Sequence, residues 1–192
     1  MVAKHYSALL ILLALLPGVH AQYAYTLHSQ TNTINITSNW VGNGSYVVGS
    51  NTSGNALLIQ DGGVLSNGNG YIGYTTDGSN NSVRISGTGS VWIISGGLVI
   101  GGNSSDNSLV ISNGGELTLN GGLVIGGGAG RTNSGITITG SSGNTLTISN
   151  GGVLTVSGGL VIGGGAGATN NSITITGGEL TVSNATIRIG AP

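Results

Sequence analysis

The chain has 192 residues, including 39 glycines and no cysteine or phenylalanine, with four Lys and Arg against five Asp and Glu. A net charge of −1 excludes a global electrostatic field that would attract nucleic acid or an anionic membrane. The missing cysteine excludes disulfide frameworks and thiolate metal sites. A regularly recurring hydrophobic pattern, in a chain with 38% hydrophobic residues, argues against disorder.

The N-terminal segment is typical of a secretory signal. Lys4 and His5 precede an apolar run at residues 8–16, and Val19-His20-Ala21 supplies a small-x-small cleavage pattern before Gln22. As a helix, this run would cover about 14 Å, roughly half of a bilayer core, which is too short for a membrane anchor. We predict a signal peptide at 1–21, export through the inner membrane, a lead-in at 22–37 and a repeat domain at 38–192.

An Ile/Val-Gly step recurs through the remainder of the chain, and its period indicates a solenoid. Successive glycines of this step are 24, 28, 25, 37 and 27 residues apart. The long interval predicts an insert near residues 141–152. The glycines of the step are Gly49, Gly73, Gly101, Gly126, Gly163 and Gly190.

Each period contains three short segments in which apolar residues alternate. The unit that starts at Leu98 has them at residues 98–100, 109–111 and 117–119, separated by turns rich in Gly and Asn. Arg84 and Arg188 occupy the middle of Val-Arg-Ile and Ile-Arg-Ile segments. Because a charge is not buried in a dry core, the flanking aliphatic residues must point inward and the arginines outward.

Three short strands in about 25 residues can form one coil of a solenoid. Each strand then pairs with the equivalent strands of the coils above and below. The sequence therefore predicts an all-β fold, a single-stranded parallel β-helix (β-solenoid) of about six coils. Corner Gly and Asn residues would supply the positive φ angles of the bends.

Two segments carry a more specific pattern. Ser90-Val91-Trp92 precedes Leu98-Val99-Ile100-Gly101 by five residues, and Trp40 precedes Tyr46-Val47-Val48-Gly49 at the same spacing. An Ile-x-x-Gly-Gly step follows, as in Ile111 to Gly115. Over residues 38–190 the chain resembles the autotransporter-associated (type V secretion and PEP-CTERM-associated) β-strand repeat. That resemblance implies a right-handed β-helix, a surface-exposed passenger and an outer-membrane translocator outside this chain.

The chain departs from this family pattern in two respects. Leu117, Leu154 and Leu180 stand where the repeat has Trp. The sequence also ends at Pro192, immediately after the last Ile-Gly step, which predicts a repeat domain truncated at its C-terminus, as in a fragment of a longer protein.

No residue is predicted to be catalytic, metal-binding or cofactor-binding. Acid–base chemistry and metal binding need convergent groups, whereas the acids of the mature chain are scattered one or fewer per coil and its one histidine, His28, has no partner. Residues 126–130 and 163–167 are glycine-rich, but a phosphate loop needs a following helix, which the pattern does not predict. The acids are Asp61, Asp77, Asp106, Glu116 and Glu179.

Two outward rows are the candidate contact surfaces, for a host surface, a matrix or a second copy. No nucleic acid partner and no transmembrane helix are predicted. β-Propensity alone would also produce such rows. The first, the valine row, is Val47, Tyr71, Val99, Val124, Val161 and Arg188; the second, the threonine row, is Thr118, Thr155 and Thr181.

The leading hypothesis is a secreted or surface-displayed structural or adhesive passenger segment without catalysis. One alternative is a fragment of a carbohydrate-active β-helix enzyme. The other is an ice-binding solenoid that would use the Thr-Ile-Thr segments at residues 137–139 and 174–176.

Overall fold

The computed structural model describes residues 25–36, 40–127, 140–165, 167–183 and 187–190. Every regular element in these ranges is a β-strand. In chain order the strands are β1 Thr31–Ile34, β2 Trp40–Val41, β3 Tyr46–Val48, β4 Ala56–Gln60, β5 Val64–Asn67, β6 Gly70–Ile72, β7 Ser82–Ser86, β8 Val91–Ile94, β9 Leu98–Ile100, β10 Ser108–Ser112, β11 Glu116–Leu119, β12 Leu123–Ile125, β13 Thr145–Ser149, β14 Val153–Val156, β15 Leu160–Ile162, β16 Ser172–Thr176, β17 Glu179–Val182 and β18 Ile187–Ile189.

The strands form three six-stranded sheets, and each coil contributes one strand to each sheet. Sheet A has the order β1-β4-β7-β10-β13-β16, sheet B β2-β5-β8-β11-β14-β17, and sheet C β3-β6-β9-β12-β15-β18. Neighbouring strands are parallel, for example β10 on β7 and β12 on β9. The predicted β-solenoid is confirmed, and its six coils stack one on another.

Like residues stack on like residues along the interior. Leu98, Leu123 and Leu160 pair in register in sheet C, and each is almost completely buried. In β7, Val83 and Ile85 are buried whereas Arg84 is exposed between them. The predicted alternation and the outward direction of Arg84 are therefore confirmed, and hydrophobic burial fixes the same register in each coil.

The extra residues of the long interval lie at a different place from the one predicted. Strands β13 and β14 pair in register with β10 and β11, so residues 141–152 belong to an ordinary coil and the insert predicted there is wrong. The extra residues lie between Ile125, which ends β12, and Thr145, which begins β13. That interval includes residues 128–139, outside the described ranges.

The solenoid begins within the segment predicted as a lead-in. Strand β1 pairs with β4, and Tyr25 is buried, with its hydroxyl donating to Ala56 O at 3.0 Å. Burial, and next the neighbouring Tyr46, raise the pKa of Tyr25 above its ordinary value of 10.0. Tyr25 thus covers the interior at this end. The predicted signal peptide and its cleavage position lie outside the described residues.

In three of the coils, the turn from sheet A to sheet B uses two successive residues with positive φ. Asp61, Asn113 and Asn150 have φ values of 53°, 53° and 47°, and the glycine after each also has a positive φ. Asp and Asn tolerate this region better than other side chains. Asp61 therefore occupies the same turn position as Asn113 and Asn150, which accounts for Asp61 as a turn residue.

Trp92 occupies a position where the coils directly before and after it carry leucine. Trp92 pairs with Leu65 on one side and Leu117 on the other, and its Nε1–H donates to Asn67 Oδ1 at 2.5 Å. Asn67, buried in a column otherwise aliphatic, donates in turn to Asn69 O at 2.7 Å. The large ring fits because Gly70 leaves space: a Cβ there would lie 3.2 Å from Trp92 Cζ2.

Candidate functional surfaces

A buried asparagine ladder holds together the corner between sheets C and A. In each step the backbone N–H of one asparagine donates to Oδ1 of the asparagine in the following coil, at 2.9 to 3.0 Å. In three of the four steps the side-chain Nδ2–H donates to the same Oδ1, at 3.0 to 3.2 Å. The ladder comprises Asn55, Asn81, Asn107, Asn144 and Asn171.

The ladder satisfies polar groups that have no access to water. Asn55, Asn107 and Asn144 are completely buried, and each also donates to a hydroxyl three residues earlier, as Asn107 Nδ2 does to Ser104 Oγ at 3.1 Å. A buried amide without partners is unfavourable. The hydrogen bonds of the repeated carboxamides therefore allow the backbone of this corner to be buried.

The ladder also explains the glycine of the Ile/Val-Gly step. A Cβ on Gly101 would overlap the Asn144 carboxamide, and a Cβ on Gly73 would overlap that of Asn107. Gly101 and Gly73 additionally have φ values of 69° and 72°. Steric space and backbone conformation therefore both require glycine at these positions.

The valine row lies on the outer face of sheet C, as predicted. Its six members pair in register, with Val99 between Tyr71 and Val124. Most members are half-buried rather than fully exposed. The strands are three residues long, and glycines flank several of them, as Gly97 and Gly101 flank β9, so the row is a narrow and mainly apolar strip.

An aromatic pair interrupts this strip. The rings of Tyr71 and Tyr74 meet edge to face with centroids 4.9 Å apart, and Tyr71 is buried by this covering. Burial, and next Tyr74, raise the pKa of Tyr71. Alternation in the sequence does not predict Tyr74 as part of this surface, although its position three residues after Tyr71 is a signal for it.

The threonine row lies on the outer face of sheet B, in the predicted register of Thr118, Thr155 and Thr181. Beside it, Val153 lies between Glu116 and Glu179. Thr181 Oγ1 donates to Glu179 Oε1 at 3.1 Å within the last coil.

Sheet A carries an outward column of mixed chemistry. Thr174 stacks on Thr147, but the same column continues through Val110, Arg84 and Leu58. A regular array of threonines is therefore limited to two coils in the described part of the sheet. The other Thr-Ile-Thr segment, at residues 137–139, lies outside the described residues.

The charged and histidine side chains are distributed rather than convergent. Asp61, Asp106 and Glu116 are exposed on different turns or strands, and the described residues contain no cluster of three or more His, Cys, Asp or Glu. His28 Nδ1 accepts from the Ser53 backbone N–H at 2.9 Å, with Ser53 Oγ at the same distance. His28 therefore joins the first two coils at the surface.

The glycine-rich segment after β15 leads into another strand. Gly163 and Gly167 have φ values of 63° and 82°, and β16 begins at Ser172. The equivalent segment after β12 falls mainly outside the described residues. Across the described ranges, no helix is long and apolar enough to cross a membrane.

Comparisons with protein-family models, with curated proteins and with solved structures find no match to this chain. The resemblance to the autotransporter-associated repeat therefore stays a prediction from the residues quoted above.

Proposed function

We propose that this chain is a non-catalytic structural or adhesive segment, exported and displayed at the cell surface as part of an autotransporter-like passenger. The observation that carries the proposal is the regular stacking of six coils with outward rows of β-branched residues. Such a solenoid extends a surface over several coils while each coil contacts only its neighbours.

The surface chemistry supports an interaction role. The valine row presents a narrow apolar strip that includes Val99, Val124 and Val161, without a charge until Arg188 in the last coil. An exposed apolar strip is suited to contact with another apolar surface. The signal-like segment at 1–21 supports export.

The experiment compares attachment of the native host with that of a deletion strain. We expect the deletion to reduce attachment to an apolar surface, and the wild-type gene to restore it. A variant carrying Val99→Thr, Val124→Thr and Val161→Thr keeps β-branched shape but loses apolar area, and we expect about half or less of the restored attachment.

The matched control is Thr118→Ser with Thr155→Ser, on the other outward row, which should restore attachment fully. Protease added to intact cells should degrade the protein, since the proposal places it outside. Normal attachment of the deletion strain would contradict adhesion, and protection from the external protease would contradict surface display.

A further inference from the structure

Several turns of the solenoid contain asparagine followed directly by glycine. Asparagine is a chemically labile residue, and a following glycine leaves its side chain open to attack by the next backbone nitrogen. The sequence has six such dipeptides; one begins at Asn43 in the first coil, and the other five lie in coils that have a neighbour on both sides. These five begin at Asn67, Asn69, Asn113, Asn120 and Asn150, all within the described ranges.

Four of these five dipeptides have their glycine N–H held by a hydrogen bond to an adjacent coil. The acceptor is a backbone carbonyl in each case, at 2.5 to 3.0 Å. The attacking nitrogen must lose this bond before it can react, so stacking of the coils protects the preceding asparagine. The four glycines are Gly68, Gly70, Gly121 and Gly151.

The fifth glycine, Gly114, is different. Its N–H has no hydrogen-bond partner among the described residues. The pairing of the strands before the turn accounts for this difference. β10 pairs with β13 as far as Ile111 on Ile148, whereas β13 pairs with β16 for one residue more, through Ser149 on Thr176. The ladder on this side of β10 therefore ends one residue earlier before the turn.

Asn113 and Asn150 are otherwise closely matched. They occupy the same turn position, with φ values of 53° and 47°, and both side chains are exposed. Asn113 Nδ2 donates to Ser86 Oγ at 3.1 Å, an exposed contact that water can replace. The feature that separates the two sites is thus the hydrogen bond of Gly151, which Gly114 does not have.

We propose that Asn113 is a site of spontaneous deamidation in the folded protein, and that the equivalent Asn150 is protected. The Gly114 nitrogen attacks Asn113 Cγ and forms a new N–C bond. The Cγ–Nδ2 bond breaks, and Nδ2 leaves as ammonia with the proton of the Gly114 N–H. Water then opens the cyclic imide at one of its two carbonyl groups, which leaves aspartate or isoaspartate. The proposal does not depend on an adhesive role.

The same turn in another coil already holds an aspartate. Asp61 occupies the position equivalent to Asn113, also with a φ of 53°. The Gly62 N–H donates to Ser90 Oγ at 3.2 Å, so this Asp-Gly dipeptide is held in the way that protects Asn150. Deamidation of Asn113 to aspartate therefore suits the turn, and it adds one negative charge to the outside of a middle coil in a chain whose net charge is −1.

The test is peptide mapping by mass spectrometry of the full chain during incubation at mildly alkaline pH. Asn113 should convert at least about tenfold faster than Asn150, because the Gly151 hydrogen bond must break before that site reacts. The control is the same incubation in urea that unfolds the chain. The two rates should then become similar, because both residues are in Asn-Gly dipeptides and neither is held by an adjacent coil.

Hydrogen exchange followed by nuclear magnetic resonance tests the premise separately. The Gly114 amide should exchange at least about tenfold faster than the Gly151 amide in the folded chain. Asn113→Asp should unfold in urea at the same midpoint as the wild type, since Asp61 occupies the equivalent turn. Equal conversion of Asn113 and Asn150 in the folded chain, or equal protection of the two amides, would overturn the proposal. So would an unmodified Asn113 in the folded chain after the unfolded chain has fully converted.

Discussion

Asn107→Ala is expected to lower the free energy of unfolding by about 3 kcal/mol. The substitution removes the Oδ1 atom that accepts the Asn81 backbone N–H at 2.9 Å, inside a corner without access to water. A buried donor left without a partner contributes about 1–3 kcal/mol of this loss, and the lost Nδ2 contacts to Ser104 and Asn144 contribute the remainder. Equilibrium unfolding in urea measures the change.

Asn120→Ala is the matched control, since Asn120 is an exposed turn residue. Its stability should stay within about 0.5 kcal/mol of the wild type. Equal, small effects of the two substitutions would mean that the ladder does not contribute to the stability of the coil.

The second large effect concerns Gly70 and Trp92, which share the interior of adjacent coils. Gly70→Leu alone should destabilise by about 3 kcal/mol, because its Cβ would lie 2.8 Å from both Ile94 Cδ1 and Leu98 Cδ1. Trp92→Leu alone should cost about 3 kcal/mol, since it leaves a cavity and removes the donor to Asn67 Oδ1.

The double variant Gly70→Leu with Trp92→Leu should lose less stability than the sum of the two single losses, by at least about 1 kcal/mol. The reason is that leucine at position 70 fills the space that Trp92 leaves. Adding Asn67→Leu removes the Oδ1 atom that has lost its donor and should recover more stability. The resulting leucines match Leu117, Leu119 and Leu123 of a later coil. Additive effects in urea unfolding would contradict the shared packing.

Alternation with period two was sufficient to predict the strands and their inward faces. Arg84 fixed the direction, because only one face of a strand can hold a charge beside a dry interior. The rows on the surface followed from the same register. The place of Tyr74 on the surface could not be predicted in this way, because Tyr74 lies in a turn, where alternation carries no information about side-chain direction.

The position of the extra residues could not be read from alternation alone. Residues 135–139 and 145–149 alternate in the same way, so both fit the pattern of a sheet A strand. Asn144, directly before β13, corresponds to Asn107 directly before β10. Recognition of that asparagine as a buried repeat position would have identified the correct coil.

The sequence does not predict the asparagine ladder, because residue type alone does not distinguish an asparagine in a turn from an asparagine in the ladder. Asn113 and Asn150 have positive φ and exposed side chains, as expected for turns. Asn107 and Asn144 lie at the other corner and point inward to pair between coils. Only contacts between residues 26 to 37 positions apart distinguish the second kind.

The stacking of coils is tested most directly by a distance measured along one outward column. Val41 and Thr181 belong to the same column of sheet B, and five steps separate them. With spin labels on Val41→Cys and Thr181→Cys, in a chain that has no other cysteine, pulsed electron resonance should give a narrow distribution near 24 Å, at about 4.8 Å per step. Dilution with unlabelled chain removes contributions between copies. A broad distribution, or a distance well beyond that value, would contradict the solenoid.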